Sequence, residues 1–536
     1  MKRVRLSTVL LARVLLAKVL MATAALIAAP QAIGPASAAG CFAAPYSCMP
    51  GTDVNPATPP DYQSQYLAYA GLVWQDFLSL NFPAATDGSG RPIPEPSSTN
   101  GLNHGGGEYT AVWQTWSEAT DLFRPGAAVP PAFGGGHILP NACAQLNEGA
   151  LPALRRVGTQ IVTDIPVLSE YIQANRMGPV VDKQGDYVRY GLNFNGPMHD
   201  YIVQHKLYSV EGQLVLDADN PNRDKLTVHF PKGAYQTQTG SIFVKSSWKI
   251  LTEADNSGAF FRTPAYVYEE AGGAFHDEPT VRERCRLMTV GLVGFHIVHF
   301  TNSAPAWVWA TFEHKDNAPW LADFSQPLRP QPYTFFDQQT CPPSGGLPSC
   351  VFGVLPKQPW NPEIPGQVPT QLVRIAAPGE GAIRANNAYR TQLQQAYGTT
   401  VWSNYFLTDV QFPTNTQATG TAGVREINPA YPDALPSPSF LANSTMETYI
   451  QGFHSGQSTT NGNPIPVDDQ MVSNGSPPVD PWSVPPAVFN RSGGSERVSS
   501  SCVSCHADAS MTTGSSGNFV FSLSRAQKTA TTGPTR

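Results

Sequence analysis

Leu287-Met288-Thr289-Val290-Gly291-Leu292-Val293-Gly294-Phe295-His296-Ile297-Val298-His299-Phe300 is the stretch from which the fold is read. Apolar residues fill both alternating sets of positions, as in a strand covered on both faces. His296 and His299 interrupt the pattern, and in a regular strand they point to opposite faces. Trp307-Val308-Trp309-Ala310-Thr311-Phe312 follows at hairpin distance. Upstream, Val180-Val181 and Tyr187-Val188-Arg189-Tyr190 flank a glycine-containing turn and predict another hairpin. Residues 226–230, 242–250, 266–268 and 401–412 are further strand candidates, rich in β-branched and aromatic side chains. The fold class expected is α+β, with a β-rich, antiparallel, sandwich-like body carrying several helices.

The helices have their own signals. Asp61 is placed as an N-cap before Tyr66, Tyr69, Ala70, Val73, Phe77 and Leu80, which recur at helical spacing until Pro83 stops them. Residues 384–397 form a second helix ending at Gly398, a fitting C-cap. A short helix starts near Asn443 with Met446, Tyr449, Ile450 and Phe453 on one side. Gly379-Glu380-Gly381 lacks the third glycine of a dinucleotide fingerprint and reads as a turn. Residues 84–108, 325–372 and 455–496 are rich in Gly, Pro, Ser or Asn and read as loops. This divides the chain into a leader (1–38), a helical and loop region (39–150), a β-rich body (151–436) and a C-terminal segment (437–536).

Only 14% of the 536 residues are charged, while 50 Pro and 46 Gly indicate a loop-rich chain. Ten Trp and 25 Phe supply enough apolar area for a folded globule. Lys2, Arg3 and Arg5, an apolar run and Ala36-Ser37-Ala38 make residues 1–38 an export signal. Arg13 and Lys18 interrupt the apolar run and disfavour a membrane anchor. All five cations of this leader leave with it, so the remainder is more acidic than the formal −6 of the whole chain. With no basic cluster, nucleic-acid binding is excluded. Ala38-Ala39-Gly40-Cys41 approximates a lipoprotein box, so Cys41 has two readings, a disulfide with Cys48 or a lipid anchor to a membrane. An exported chain suits disulfides. Cys341 and Cys350 close a short loop and are the favoured pair, which leaves Cys143 and Cys285 by elimination.

The C-terminal segment carries the most specific motif, Cys502-Val503-Ser504-Cys505-His506. Cys-x-x-Cys-His is the attachment signature of a c-type haem, with thioethers from Cys502 and Cys505 and iron bound by His506. At this composition the pentapeptide arises by chance roughly 0.002 times per chain. A redox dithiol would need a thioredoxin-like βαβ context, and a zinc site a second ligand pair. Neither is present. Only 30 residues follow His506, and Met511 lies too close to reach around a haem, since five helical residues rise about 7.5 Å. A protein ligand on the far side of the iron must then come from upstream. His296, His299, His314, Met446, His454 and Met471 are available, with His296 or His299 favoured ahead of Met446. The alternatives are water or an open position. His296, His299, Glu313, His314 and Asp316 could instead build a separate metal site, though at no specific ligand spacing. Phe519, Val520, Phe521 and Leu523 are expected to pack near the haem, while the first helix reads as core rather than a haem face.

Trp74-x-x-Phe77-x-x-Leu80-Asn81, Val112-Trp113-Gln114-Thr115-Trp116, residues 291–300, residues 307–314 and Leu441-Ala442-Asn443 ahead of the haem motif resemble a group of exported bacterial cytochrome c family proteins. The resemblance runs from about residue 61 to 525. It implies one haem at Cys502, Cys505 and His506, and no particular activity. Electron transfer with a redox partner is the first functional expectation. A haem-dependent, peroxide-linked oxidoreductase and a haem-based sensor or binding protein are the alternatives. No nucleophile elbow or phosphate loop points to other chemistry.

Overall fold

The computed structural model describes residues 49–88, 90–94, 101–146, 151–155, 180–219, 227–269, 282–329, 333–350, 352–353, 370–374, 378–412, 441–448, 502, 506 and 509–529. Eight strands form the main sheet: Ser117–Glu118 (β1), Ala153–Arg155 (β2), Arg189–Phe194 (β3), Ile242–Ile250 (β4), Arg262–Glu269 (β5), Arg284–Thr301 (β6), Ala304–His314 (β7) and Tyr405–Gln411 (β8). Their order is β8-β7-β6-β4-β3-β2-β5, with β1 added to β3. Every pairing is antiparallel except β2 with β5.

The stretch read as central is the long strand β6. One edge pairs with β4, and the other pairs with β7 and, nearer the N-terminus, with β5. The pairing path through β6, β4, β3, β2 and β5 therefore returns to β6 and rolls the sheet on itself. This is one β-rich antiparallel sheet with helices, where the sequence suggested a sandwich. A strand covered on both faces looks the same in either arrangement, so periodicity could not separate them.

Among the described residues, four helices have nine or more residues: Tyr62–Leu80 (α1), Gly196–Gln204 (α2), Val210–Ala218 (α3) and Glu380–Tyr397 (α4). Asp61 caps α1 as expected, accepting from the Ser64 N–H. The apolar stripe of α1 is core. Phe77 stacks on Phe312 of β7 at 4.1 Å between centroids, and Trp74 stacks on Tyr389 of α4 at 5.3 Å. Burying one such ring is worth roughly 2–3 kcal/mol. Gly398 ends α4 with φ 69°, but Glu380 and Gly381 belong to the helix and not to a separate turn.

Other local expectations change as well. Residues 227–230 form no strand; the Val228 carbonyl accepts from Asn518 and the His229 N–H donates to Tyr201, so side chains satisfy that backbone. Val401–Asn404 is a 3-10 turn leading into β8. Near Asn443 the chain makes one turn through residues 444–446, and residues 449–453 lie outside the described residues. Cys143–Cys285 and Cys341–Cys350 are bonded, at Cα separations of 5.1 Å each. Cys41, Cys48 and the leader lie outside the described residues. Among the described residues no helix is long and apolar enough to cross a membrane.

Candidate haem site

The two faces of β6 carry different loads. Phe295 and Ile297 join the core under α1, whereas Val298 and Phe300 join a second core with Phe243, Trp307 and Trp309. The C-terminal segment packs on this second face through Met511, Phe519, Val520 and Leu523, and Cys502 sits half-buried against it. The segment is tied to the body by its main chain. Gln213 of α3, fully buried, donates to the carbonyls of Leu523 and Leu207 at 2.7 and 2.9 Å. The N–H groups of Val210 and Gln527 donate to the carbonyls of Gln527 and Tyr208.

His506 is held by a turn in an unusual conformation. Asn518 and Phe519 both have positive φ, 49° and 66°, which side-chain-bearing residues adopt rarely and at a cost of about 1–2 kcal/mol. Asn518 is pinned from both ends: its Oδ1 accepts from Trp307 Nε1 at 3.3 Å, and its Nδ2 donates to the Val228 carbonyl at 3.2 Å. The turn aims the Phe519 carbonyl at His506, 2.8 Å from Nδ1. A carbonyl only accepts, so Nδ1 carries the proton and Nε2 keeps its lone pair. Nε2 makes no hydrogen bond among the described residues. That tautomer, oriented by a backbone carbonyl, is what an axial histidine requires. Burial pushes the His506 pKa down to about 4; the Phe519 carbonyl and Glu447 oppose that, while Lys245 and His296 reinforce it. Trp309 lies 4.5 Å from the His506 ring and Phe521 5.0 Å, centroid to centroid. These residues suit a c-type haem by the chemistry of the donor set: a neutral imidazole in the right tautomer with aromatic flanks.

A polar plug lies beside this apolar patch. Asn443 donates to Thr311 Oγ1 at 2.9 Å, and Thr445 meets Ser247 Oγ at 2.6 Å. Ser444 donates through its N–H and its hydroxyl to the two oxygens of Glu313, each at 2.6 Å. The approach depends on Gly294, where a Cβ would stand 2.6 Å from both Ser247 Oγ and Thr445 Oγ1. The plug delivers Glu447, whose carboxylate accepts from the Asn443 N–H and meets His296 Nε2 at 3.0 and 3.1 Å. Burial alone would raise the Glu447 pKa, but His296 and Lys245 outweigh it and hold the group below its ordinary range. Lys245 is the β4 partner of His296 in the sheet register.

Of the upstream residues singled out from sequence, His296 shares the face of His506 and is close enough to bias its charge. His299 is on the other face, its Nδ1 2.8 Å from Asp76 and its Nε2 2.6 Å from the Thr239 carbonyl. Met446 is fully buried in a different cluster with Val180, Val293 and Phe335. His314 stacks on Phe260 at 4.2 Å and its Nε2 donates to the Ala259 carbonyl. His454, Met471 and Cys505 lie outside the described residues. The group His296, His299, Glu313, His314 and Asp316 is not brought together, and among the described residues no cluster of three or more His, Cys, Asp or Glu could hold a metal ion. Glu447, Lys245, Trp309 and Asn518 had no signal as site residues, because nothing local in the chain marks them. No family model, curated protein or solved structure matches the chain.

Proposed function

We propose that this is an exported mono-haem c-type cytochrome whose C-terminal segment carries one haem on Cys502, Cys505 and His506, and whose task is electron transfer. The observation that carries the reading is the Phe519 carbonyl on His506 Nδ1, which leaves Nε2 as the ligand nitrogen. A haem bound there supplies one-electron chemistry. The chain's own residues orient the His506 imidazole, which would hold the iron, through Phe519, flank it with Trp309 and Phe521, and shield its inner side from water through Phe519, Val520 and Leu523. Phe521 remains 38% exposed, a hydrophobic approach to the site for a redox partner. Residues 1–38 are consistent with delivery to the periplasm, where such haems are attached, and Cys41 offers a lipid anchor as the alternative to a soluble form.

A second reading rests on the His296–Glu447 pair. With Nε2 engaged by Glu447, His296 is a hydrogen-bonded acid–base group and not a bare ligand. That arrangement favours an oxidoreductase with an open iron position, peroxide-linked chemistry included.

Protein exported from a host with haem-maturation machinery should exceed its processed mass by one haem, and the colour should survive acid–acetone extraction. Cys502→Ala with Cys505→Ala should abolish both. A wild-type protein without covalent haem under these conditions ends both readings. Low-spin ferrous iron that resists carbon monoxide supports electron transfer, and rapid carbonylation supports the oxidoreductase.

A further inference from the structure

A cavity of about 650 Å³ opens between the 3-10 turn Leu321–Ser325, the first half of α4 and β8. That volume falls in the range of small-molecule sites, roughly 300–1,000 Å³. Its floor is aromatic, with the rings of Trp320 and Phe406 5.7 Å apart. Behind them the buried Arg374 guanidinium lies 4.9 and 5.2 Å from the two ring centres. Glu313 pairs with that guanidinium at 2.8 Å, so the floor is held in place and its charge is answered.

The rim carries cations that are not answered. Among the described residues Arg390 meets no carboxylate; its one hydrogen bond there is a long contact of 3.4 Å from Nη2 to the Tyr405 carbonyl, and its Nε is buried without a partner. The Lys315 ammonium makes no hydrogen bond or ion pair among the described residues. Arg329 is shared with Asp316 at 3.3 Å. Asp323, the one acid among the described lining residues, is engaged by the Trp320 N–H at 3.0 Å. A buried donor left unpaired is destabilising, more so when it is charged, until an acceptor reaches it. In a chain of formal charge −6, cations gathered over an aromatic floor are a local reversal of sign.

From this we propose that the cavity binds a small organic anion, its carboxylate on Arg390 and Lys315 and its flat apolar body on Trp320 and Phe406. The site is independent of the haem reading. Isothermal titration of the full exported protein with phenylacetate and with phenylacetamide tests it, since the two differ in charge and hardly in shape. The acid should bind at least about 10-fold more tightly than the amide, the size of one charged hydrogen bond. Arg390→Gln and Lys315→Gln should each remove most of that difference, while Arg390→Lys retains part of it. Equal binding of acid and amide to the wild-type protein overturns the proposal, as does no binding of either at about 10 mM. The wild-type comparison decides the matter even if a variant fails to fold.

Discussion

His296 and His299 are three residues apart on one strand and live in different chemical worlds. His299 is fully buried under α1 with both nitrogens engaged, one by Asp76 and one by the Thr239 carbonyl. His296 faces the C-terminal segment, with Nε2 on Glu447 and with His506 and Lys245 nearby. The first is closed, a polar link between helix and sheet. Among the described residues the second has unused hydrogen-bonding capacity, beside an imidazole that is itself engaged through one nitrogen. Identical residues acquire structural or chemical roles from the face they occupy, and parity along the strand assigns the face.

Removing the closed histidine should have the larger effect. His299→Ala leaves Asp76 Oδ2 buried without its partner, with only Oδ1 still held by the Gly51 N–H, and breaking a buried pair costs about 3–5 kcal/mol. Chemical denaturation should show that loss; on the proposed haem reading, the haem spectrum of the surviving fold should be unchanged. The pair also has a pH signature. Burial works to lower the His299 pKa, but Asp76 outweighs it and raises it. A raised histidine stabilises fully below its unfolded value near 6.5, and the contribution is lost as pH rises through the folded pKa. Wild type should therefore weaken on the alkaline side, and His299→Ala should show less of that dependence. His137, raised to about 10 by Glu118 and Asp121 against the effect of burial, should sustain the remaining alkaline loss in both proteins.

The second test moves to the turn that holds His506. Asn518→Ala deprives Trp307 Nε1 of its acceptor and the Val228 carbonyl of its donor. The expected loss is about 1–3 kcal/mol. Because Phe519 would no longer be held against His506 Nδ1, the reduction potential should shift as well. An unchanged potential and an unchanged midpoint together would mean that the turn does not position the imidazole.

The smallest stability effect belongs to His296→Ala, about 1 kcal/mol, since Glu447 keeps the Asn443 N–H when the imidazole is removed. Its readout is spectroscopic. If His296 ligates the iron, the substitution converts low-spin iron to high-spin. If His296 acts with Glu447 beside an open position, the spin state stays and peroxide or carbon monoxide kinetics change. Neither change would remove His296 from the site and erase the contrast with His299.

Much of this was legible along the chain. The strands β4, β6 and β7, the helix α1 with its Asp61 cap, and α4 with Gly398 follow from patterns of period 2 or 3.6 and from end signals, all local properties. The opposite orientation of His296 and His299 followed from strand geometry alone, and the motif at Cys502, Cys505 and His506 from covalent spacing. The disulfides Cys341–Cys350 and Cys143–Cys285 were reachable by loop length and elimination. What only the tertiary structure decided is what meets across sequence distance. Glu447 reaches His296 across 151 positions, and Asn518 reaches Trp307 across 211. The cavity gathers Arg390, Trp320 and Phe406 in one lining. A sheet rolled on itself, and a tail clamped by Gln213, create those neighbours. Local propensity sees a few residues either way, whereas a hydrogen bond or a charge acts through space, so these partners carry no mark in the chain until it folds.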